Sequence, residues 1–275
     1  MTDKGESADM RKTSLFAVLL ALLAPPEAPA QSQAPAAVVS VSAEQTQFRL
    51  TLGDGRIMRS PELVGAKLIV ATETGPVKVQ IAAVERDPGA KSGDVWLHTL
   101  LVENPDGTSQ NMCEAGPDGR RQGFPIASRL RPDGGTENTP PEQFDVVCSA
   151  GARAKCVRFG YRPWVPAEED LYNACTRMVR ADYGGKGLGT TRNGMSIDIF
   201  DDLGIQKADN AANQDFEAGW TAQGAVCVRH VRVKENTSLT ALEAAFPHLK
   251  GRIGEVCTET NARTWGAILF NRSAP

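Results

Sequence analysis

Between Arg153 and Arg192 the chain concentrates side chains suited to anion recognition. Arg153, Lys155, Arg158, Arg162, Arg177, Arg180, Lys186 and Arg192 stand against Glu168, Glu169, Asp170 and Asp182. That is a local excess of positive charge in a chain of formal net charge −3. Tyr161, Trp164, Tyr172 and Tyr183 are interleaved with them. Arginine forks grip carboxylates and phosphates through paired N–H donors, and aromatic faces suit sugars and planar groups. Tyr161, Arg162, Trp164, Arg180, Asp182 and Tyr183 are therefore the candidate ligand-binding residues. The expected partner is an anionic or glycan ligand or a component of the cell envelope. The competing reading makes the arginines a solvated surface, the aromatics core, and Asp182 a structural partner of a nearby arginine.

Other reactive arrangements fall short by spacing. There is no GxSxG elbow and no HExxH pair, although a scattered triad is recognised by geometry rather than order. The run Gly184–Thr191 (GGKGLGTT) has the composition of a phosphate loop. A phosphate loop follows a strand and opens a helix, whereas here the predicted helix comes first. The run reads instead as a helix cap and a loop. Asp198, Asp201 and Asp202, with Asp182 and Asp209, could offer hard oxygen ligands to Ca²⁺, but not at EF-hand spacing. Asp198 and Asp202 read as solvated residues on the outward face of a strand. His98, His230 and His248 do not cluster with cysteines at zinc spacing, and there is no CxxC pair. His98, inside an apolar strand, reads as a structural histidine. No catalytic residue, metal site or cofactor is assigned. A non-enzymatic binding or envelope-associated module is the leading reading, and a secreted hydrolase with a site near Tyr161–Tyr183 is the alternative.

The first thirty residues bear on compartment. Met10-Arg11-Lys12 is a short basic region, Ser14–Ala24 is an apolar run too short to span a bilayer, and Ala28-Pro29-Ala30 is a small-x-small cleavage site. Residues 1–30 therefore read as a signal peptide, with Met10 as an alternative start, and the protein as exported, periplasmic or extracellular. After cleavage no run reaches membrane-spanning length, so no transmembrane segment is expected. The near-neutral charge of residues 31–275 gives no support for nucleic-acid binding. Cys113, Cys148, Cys156, Cys175, Cys227 and Cys257 all follow the cleavage site. An even count in an oxidising compartment predicts three disulfides, with fifteen connectivities open. Cys148 and Cys156 are close enough to bridge a short helix-turn unit. Cys175 lies on a helical apolar face, so its partner should come from another element.

These residues must be positioned by a mixed set of elements. Residues 31–130 read as β-rich, with strands at Gln47–Thr51, Val64–Val70, Val77–Val84 and Val95–Val102 forming a small antiparallel sheet or barrel. Residues 131–142 read as a Pro/Gly-rich loop and soft boundary. Residues 143–275 read as a disulfide-stapled α+β domain. Its central helix is predicted over Glu168–Tyr183: acidic residues fill the first turn, and Leu171, Cys175, Met178 and Val179 make one stripe. Gly184 and Gly185 are expected to stop it. Strands are predicted at Met195–Phe200, Ala225–Val233 and Trp265–Phe270, with a helix opened by a Thr240–Glu243 capping box. Strands and helices without βαβ alternation give an α+β fold.

Three segments carry a family resemblance. AKCVRFGYRPW at Ala154–Trp164, ACTRMVRADYG at Ala174–Gly184 and IDIFDDLGIQ at Ile197–Gln206 resemble, in order, the bacterial ADYC domain, named for its signature tetrapeptide. The resemblance runs from about Phe144 to the last strands. It implies an exported bacterial protein and brings no activity with it. The chain departs from the signature at Gly184, where the family name has cysteine. A cysteine that would pair with that position is then either free here or taken up by another residue such as Cys257.

Overall fold

Strict alternation builds the first strands. In β2 (Gln47–Leu52) Phe48, Leu50 and Leu52 are buried while the residues between them are half-exposed, as a strand with one face on a core requires. It pairs antiparallel with β1 (Val38–Glu44) and β3 (Ile57–Arg59) in a three-stranded sheet. The Asp54-Gly55 turn stands between β2 and β3, with Gly55 at φ 84°. The computed structural model describes residues 36–275 apart from residues 73, 74, 92, 210 and 211. The expected signal peptide lies outside the described residues.

A larger antiparallel sheet follows. It contains β4 (Lys67–Thr72), β5 (Gly75–Arg86), β6 (Trp96–Glu103), β7 (Ser109–Asn111) and β8 (Gly123–Ile126). A separate hairpin joins β9 (Ser128–Leu130) to β10 (Thr136–Asn138) inside the Pro/Gly-rich region. Then β11 (Asp145–Cys148) returns to the large sheet, whose order is β11-β8-β6-β5-β4 with β7 beside β6. The β8–β11 pairing and the Cys113–Cys148 disulfide both cross residues 131–142.

The second half places α1 (Ala152–Arg158) and α2 (Glu169–Arg180) before a four-stranded antiparallel sheet. That sheet has the order β12 (Ile197–Asp201), β15 (Leu269–Ser273), β13 (Asp215–Thr221), β14 (Gly224–Val228). Between β14 and β15 lie α3 (Leu239–Ala245) and α4 (Glu259–Thr264). Antiparallel sheets with interposed helices make this an α+β fold with a β sheet at its N-terminal side, as the sequence predicts. No helix among the described residues is long and apolar enough to cross a membrane.

The helix starts and stops differ in two places. The cap of α3 is Ser238, whose hydroxyl accepts from the Ala241 N–H at 3.1 Å, so the helix opens two residues before the predicted box. In α2 every side chain from Leu171 to Met178 is buried, because the helix lies against β13 and β14 and is crossed by α1. A helix in that position has no solvent stripe, and its polar residues bond inward. The Asn173 side-chain oxygen accepts from both the N–H (2.8 Å) and the hydroxyl (3.0 Å) of Thr136.

The cysteines pair 113–148, 156–175 and 227–257, and none is free. Cys175 does take its partner from another element, α1, whereas Cys148 bonds Cys113 rather than Cys156. Cys257 is consumed by Cys227, so no cysteine waits for a partner at position 184.

His98 is a fully buried structural histidine. Its Nδ1–H donates to the Gly123 carbonyl at 3.1 Å, and its Nε2 accepts from the Ser60 hydroxyl at 2.7 Å. Ser60 in turn accepts from the Phe48 N–H at 2.8 Å. Burial lowers the His98 pKa from 6.5 to about 4. Below pH 6.5 the unfolded chain binds a proton there that the folded chain refuses, so stability falls as pH drops toward 4, by roughly 3 kcal/mol from this group. Urea unfolding across that window should show this loss, and His98→Gln should flatten it. An equal slope in the variant would mean that another group is responsible.

Candidate functional site

The ADYG tetrapeptide begins where α2 ends. Ala181 adopts φ 50°, ψ 44°, the left-handed cap position usually taken by glycine. Its N–H reaches the Met178 carbonyl at 3.0 Å and the Asp182 N–H reaches the Arg177 carbonyl at 2.9 Å, the paired bonds of a Schellman motif. The helix therefore stops three residues before Gly184. A left-handed alanine is unfavourable by about 1–2 kcal/mol, so surrounding bonds must hold it. Asp182 supplies them. Its fully buried carboxylate accepts from Arg177 Nη1 at 2.6 Å, from the Gly187 N–H at 2.9 Å and from the Lys186 N–H at 3.1 Å.

Tyr183 anchors the next step. Its hydroxyl donates to Glu217 Oε1 at 2.9 Å and accepts from the Arg232 N–H at 2.9 Å, and its ring stacks on Trp220 with centroids 5.3 Å apart. Arg232 pairs with Glu217 at 2.9 and 3.0 Å and also donates to the Met178 carbonyl at 2.9 Å. Asn271 bridges the network, donating to Glu217 at 2.8 Å and accepting from Trp220 Nε1 at 2.8 Å. Burial alone would raise the Glu217 pKa, but the charge and hydrogen bonds of Arg232, with help from Asn271, hold it below the usual carboxylate value. Burial and the Glu217 carboxylate push Tyr183 well up, so it stays a neutral phenol.

Gly184 has no room for a side chain. A Cβ there would lie 2.1 Å from Phe246 Cζ. The Phe246 ring, just beyond α3, fills the space a cysteine would occupy. Gly185, at φ 65°, would place a Cβ 1.6 Å from the Gln223 carbonyl, because this loop passes hard against the β13–β14 turn.

Beside this buried loop lies a cleft of about 450 Å³. One wall is the Ala152–Lys155–Phe159 face of α1 and a second is Val179 and Arg180 at the end of α2. Segment 191–196 and Ile197 form a third. The Cys156–Cys175 bridge, Cα atoms 5.8 Å apart, ties the first two walls together. Lys155, Arg180, Arg192 and Arg232 line the cleft, and no Asp or Glu does. Arg232 is committed to Glu217, the Arg180 guanidinium donates to the Gly187 carbonyl, and Arg192 pairs with Glu235 at 3.3 Å near the surface. The half-buried Lys155 ammonium has no hydrogen bond or ion pair among the described residues. Burial lowers its pKa, partly offset by the field of Asp118.

The six candidate residues do not form one surface. Tyr161 is buried and donates to Asp201 at 2.9 Å, while Asp182 and Tyr183 are sealed in the networks above. All three are almost without solvent contact. Arg162 is spent on Glu168, with Nε–Oε2 at 3.0 Å. Trp164 packs half-buried on the core and faces a separate cavity with Ile126 and Pro141. Arg180 alone lines the cleft. Sequence reasoning ranked Lys155, Arg192 and Met195 no higher than their neighbours, since only the fold brings α1 against segment 191–196. The hydroxyl–carboxylate pairs of the proposed hydrolase stretch, Tyr161–Asp201 and Tyr183–Glu217, are closed to solvent. Asp198 is buried, not solvated, and accepts from the Asp209 N–H at 3.0 Å. Asp201 is engaged by the N–H groups of Leu203, Ile205 and Gln206. Among the described residues no cluster of three or more His, Cys, Asp or Glu could hold a metal ion.

Two substitutions test the loop. Asp182→Asn leaves the buried Arg177 charge only the more distant, half-exposed Asp133 carboxylate at 3.7 Å, and urea unfolding should show a loss of roughly 3 kcal/mol; a loss under about 1 kcal/mol would show the pair to be dispensable. Gly184→Ala should destabilise by about 1–3 kcal/mol through overpacking. Phe246→Leu, which lacks the three ring atoms the new methyl meets, should recover part of that loss in the double variant. Additive losses would mean that the two positions are uncoupled.

The ADYC domain model matches residues 60–234. No curated protein and no solved structure matches. The match begins well before Phe144, taking in the large antiparallel sheet, and ends at Lys234, short of the last strands. It covers more than half of the chain and the whole α2–ADYG–loop unit, and the chain belongs to the ADYC domain family.

Proposed function

We propose that the chain is an exported, non-enzymatic binding module that holds an anionic ligand in the cleft between α1, the end of α2 and segment 191–197. The observation that carries this reading is Lys155. Its ammonium is half-buried on a wall without carboxylates, and a buried charge is unfavourable unless something compensates it. An anion in the cleft would do so, with Arg180 and Arg192 beside it. Asp118, whose field reaches Lys155, is itself bound to Arg158 at 3.0 Å. Export is supported by three disulfides, which persist in oxidising compartments, and by the basic, apolar and small-residue pattern of residues 1–30.

The test is calorimetric titration of the oxidised protein with inorganic phosphate at low ionic strength. Binding is expected, and Lys155→Gln, which keeps most of the apolar stem, should weaken it about tenfold, the worth of one charge-assisted hydrogen bond. Absence of binding, or equal binding by the variant, would remove the cleft as the site.

A further inference from the structure

We infer that the ligand of this cleft is an amphiphile, with one anionic headgroup, carboxylate or phosphate monoester, on an apolar body. The inference rests on the anion-binding reading above and goes further in naming the ligand class.

The uncompensated charge in the cleft is small. Arg232 is neutralised by Glu217 and Arg192 is paired with Glu235. Arg180 keeps its charge but gives a donor to the Gly187 carbonyl, and the Lys155 ammonium has no hydrogen bond or ion pair among the described residues. Two such cations suit one carboxylate or phosphate monoester headgroup, whereas a polyphosphate or sulfated glycan would need more.

Beside the polar Thr191, Asn193 and Ser196, the lining holds a group of apolar side chains. Lys155 and Phe159 stand four residues apart, so they occupy the same side of α1, about one turn from each other. A headgroup on Lys155 therefore puts the adjoining part of the ligand near the Phe159 ring. Val179 continues that surface on α2, and Met195 and Ile197 face it from the third wall. Met195 is a large apolar side chain more than one-third exposed, and an apolar ligand would cover it. The cleft volume lies within the roughly 300–1,000 Å³ of sites that take small organic molecules. A charged end beside the apolar side chains of Phe159, Val179, Met195 and Ile197 is the pattern an amphiphile satisfies.

The experiment compares acetate, butyrate, octanoate, octanol and octyl phosphate by calorimetry, each below its micelle concentration. Octanoate should bind more tightly than acetate, with about a two- to fourfold gain per added CH₂. Octanol should bind at least tenfold more weakly than octanoate, and Lys155→Gln should erase that difference. Met195→Ser, an exposed position, should shrink the gain per CH₂. If acetate and octanoate bind alike and both depend on Lys155, the anion site stands and the amphiphile is rejected. If octanol matches octanoate, or if no anion binds, both readings fail. Preference between octanoate and octyl phosphate identifies the headgroup.

Discussion

The buried pair between Arg232 and Glu217 is the constraint on which the rest of the structure depends. Both side chains are essentially without solvent contact, a placement that costs several kcal/mol per ion unless each lone pair and proton is met. Each is met, by Tyr183, Asn271 and two carbonyls at the end of α2. A saturated network of this kind adds little net stability compared with an apolar core. What it fixes is position. Arg232 takes the last carbonyls of α2, Glu217 belongs to β13, Asn271 to β15, and Tyr183 to the loop between. The end of the helix is thereby tied to the sheet at one register.

Arg177 and Asp182 repeat the device on the other side of the loop, and together the two networks hold Ala181 in a conformation it would otherwise leave. The loop that follows is pressed between Phe246 and the Gln223 carbonyl, which is why residues 184 and 185 have no side chain. The glycine at 184 is therefore matched by Phe246 in the same space, with no cysteine left orphaned. The three disulfides work at longer range. A seven-residue helix such as α1 is too short to persist by itself in water, and Cys156–Cys175 clamps it to α2. The walls of the cleft are fixed by that bond more than by the helix's own hydrogen bonds.

Strands β2, β4, β5, β6, β12 and β14 in outline, α2, the α+β class, the complete pairing of six cysteines and the structural role of His98 were legible from alternation, helical periodicity and parity, whereas the short strands of residues 123–148 and β13 were not. These signals are local or arithmetic. The end of α2 was misplaced because glycine is the usual left-handed residue, and two adjacent glycines outweigh an alanine when neighbours alone are read. Beside the local Arg177–Asp182 bonds, one of the two networks that hold Ala181 comes from residues 217, 232 and 271, far away in sequence. The burial of Tyr161, Asp182 and Tyr183 was hidden for a related reason. An arginine next to a tyrosine has the same composition whether it faces solvent or closes a buried pair. For Asp182 the structural alternative, pairing with a nearby arginine, describes the fold. Lys155 carried no signal, because an unpaired lysine is conspicuous only once its surroundings are known to lack carboxylates.

The family signature and the cleft thus divide the labour of one stretch of chain. Ala181, Asp182 and Tyr183 are inside, the Asp182 carboxylate and the Tyr183 hydroxyl are hydrogen-bonded, and the three shape the turn. Segment 191–196, which lines the cleft, is half-buried to exposed and is joined to that turn by the Thr190 and Thr191 N–H bonds to the Arg180 carbonyl, at 3.0 and 3.2 Å. A substitution at Arg192 or Met195 would alter the lining of the cleft without touching a buried charge, whereas a substitution at Asp182 or Tyr183 would disturb the buried networks that hold the wall. Matching the signature therefore identifies the scaffold. The proposed binding chemistry rests instead on the segment beyond it and on the facing side of α1, where Lys155 stands.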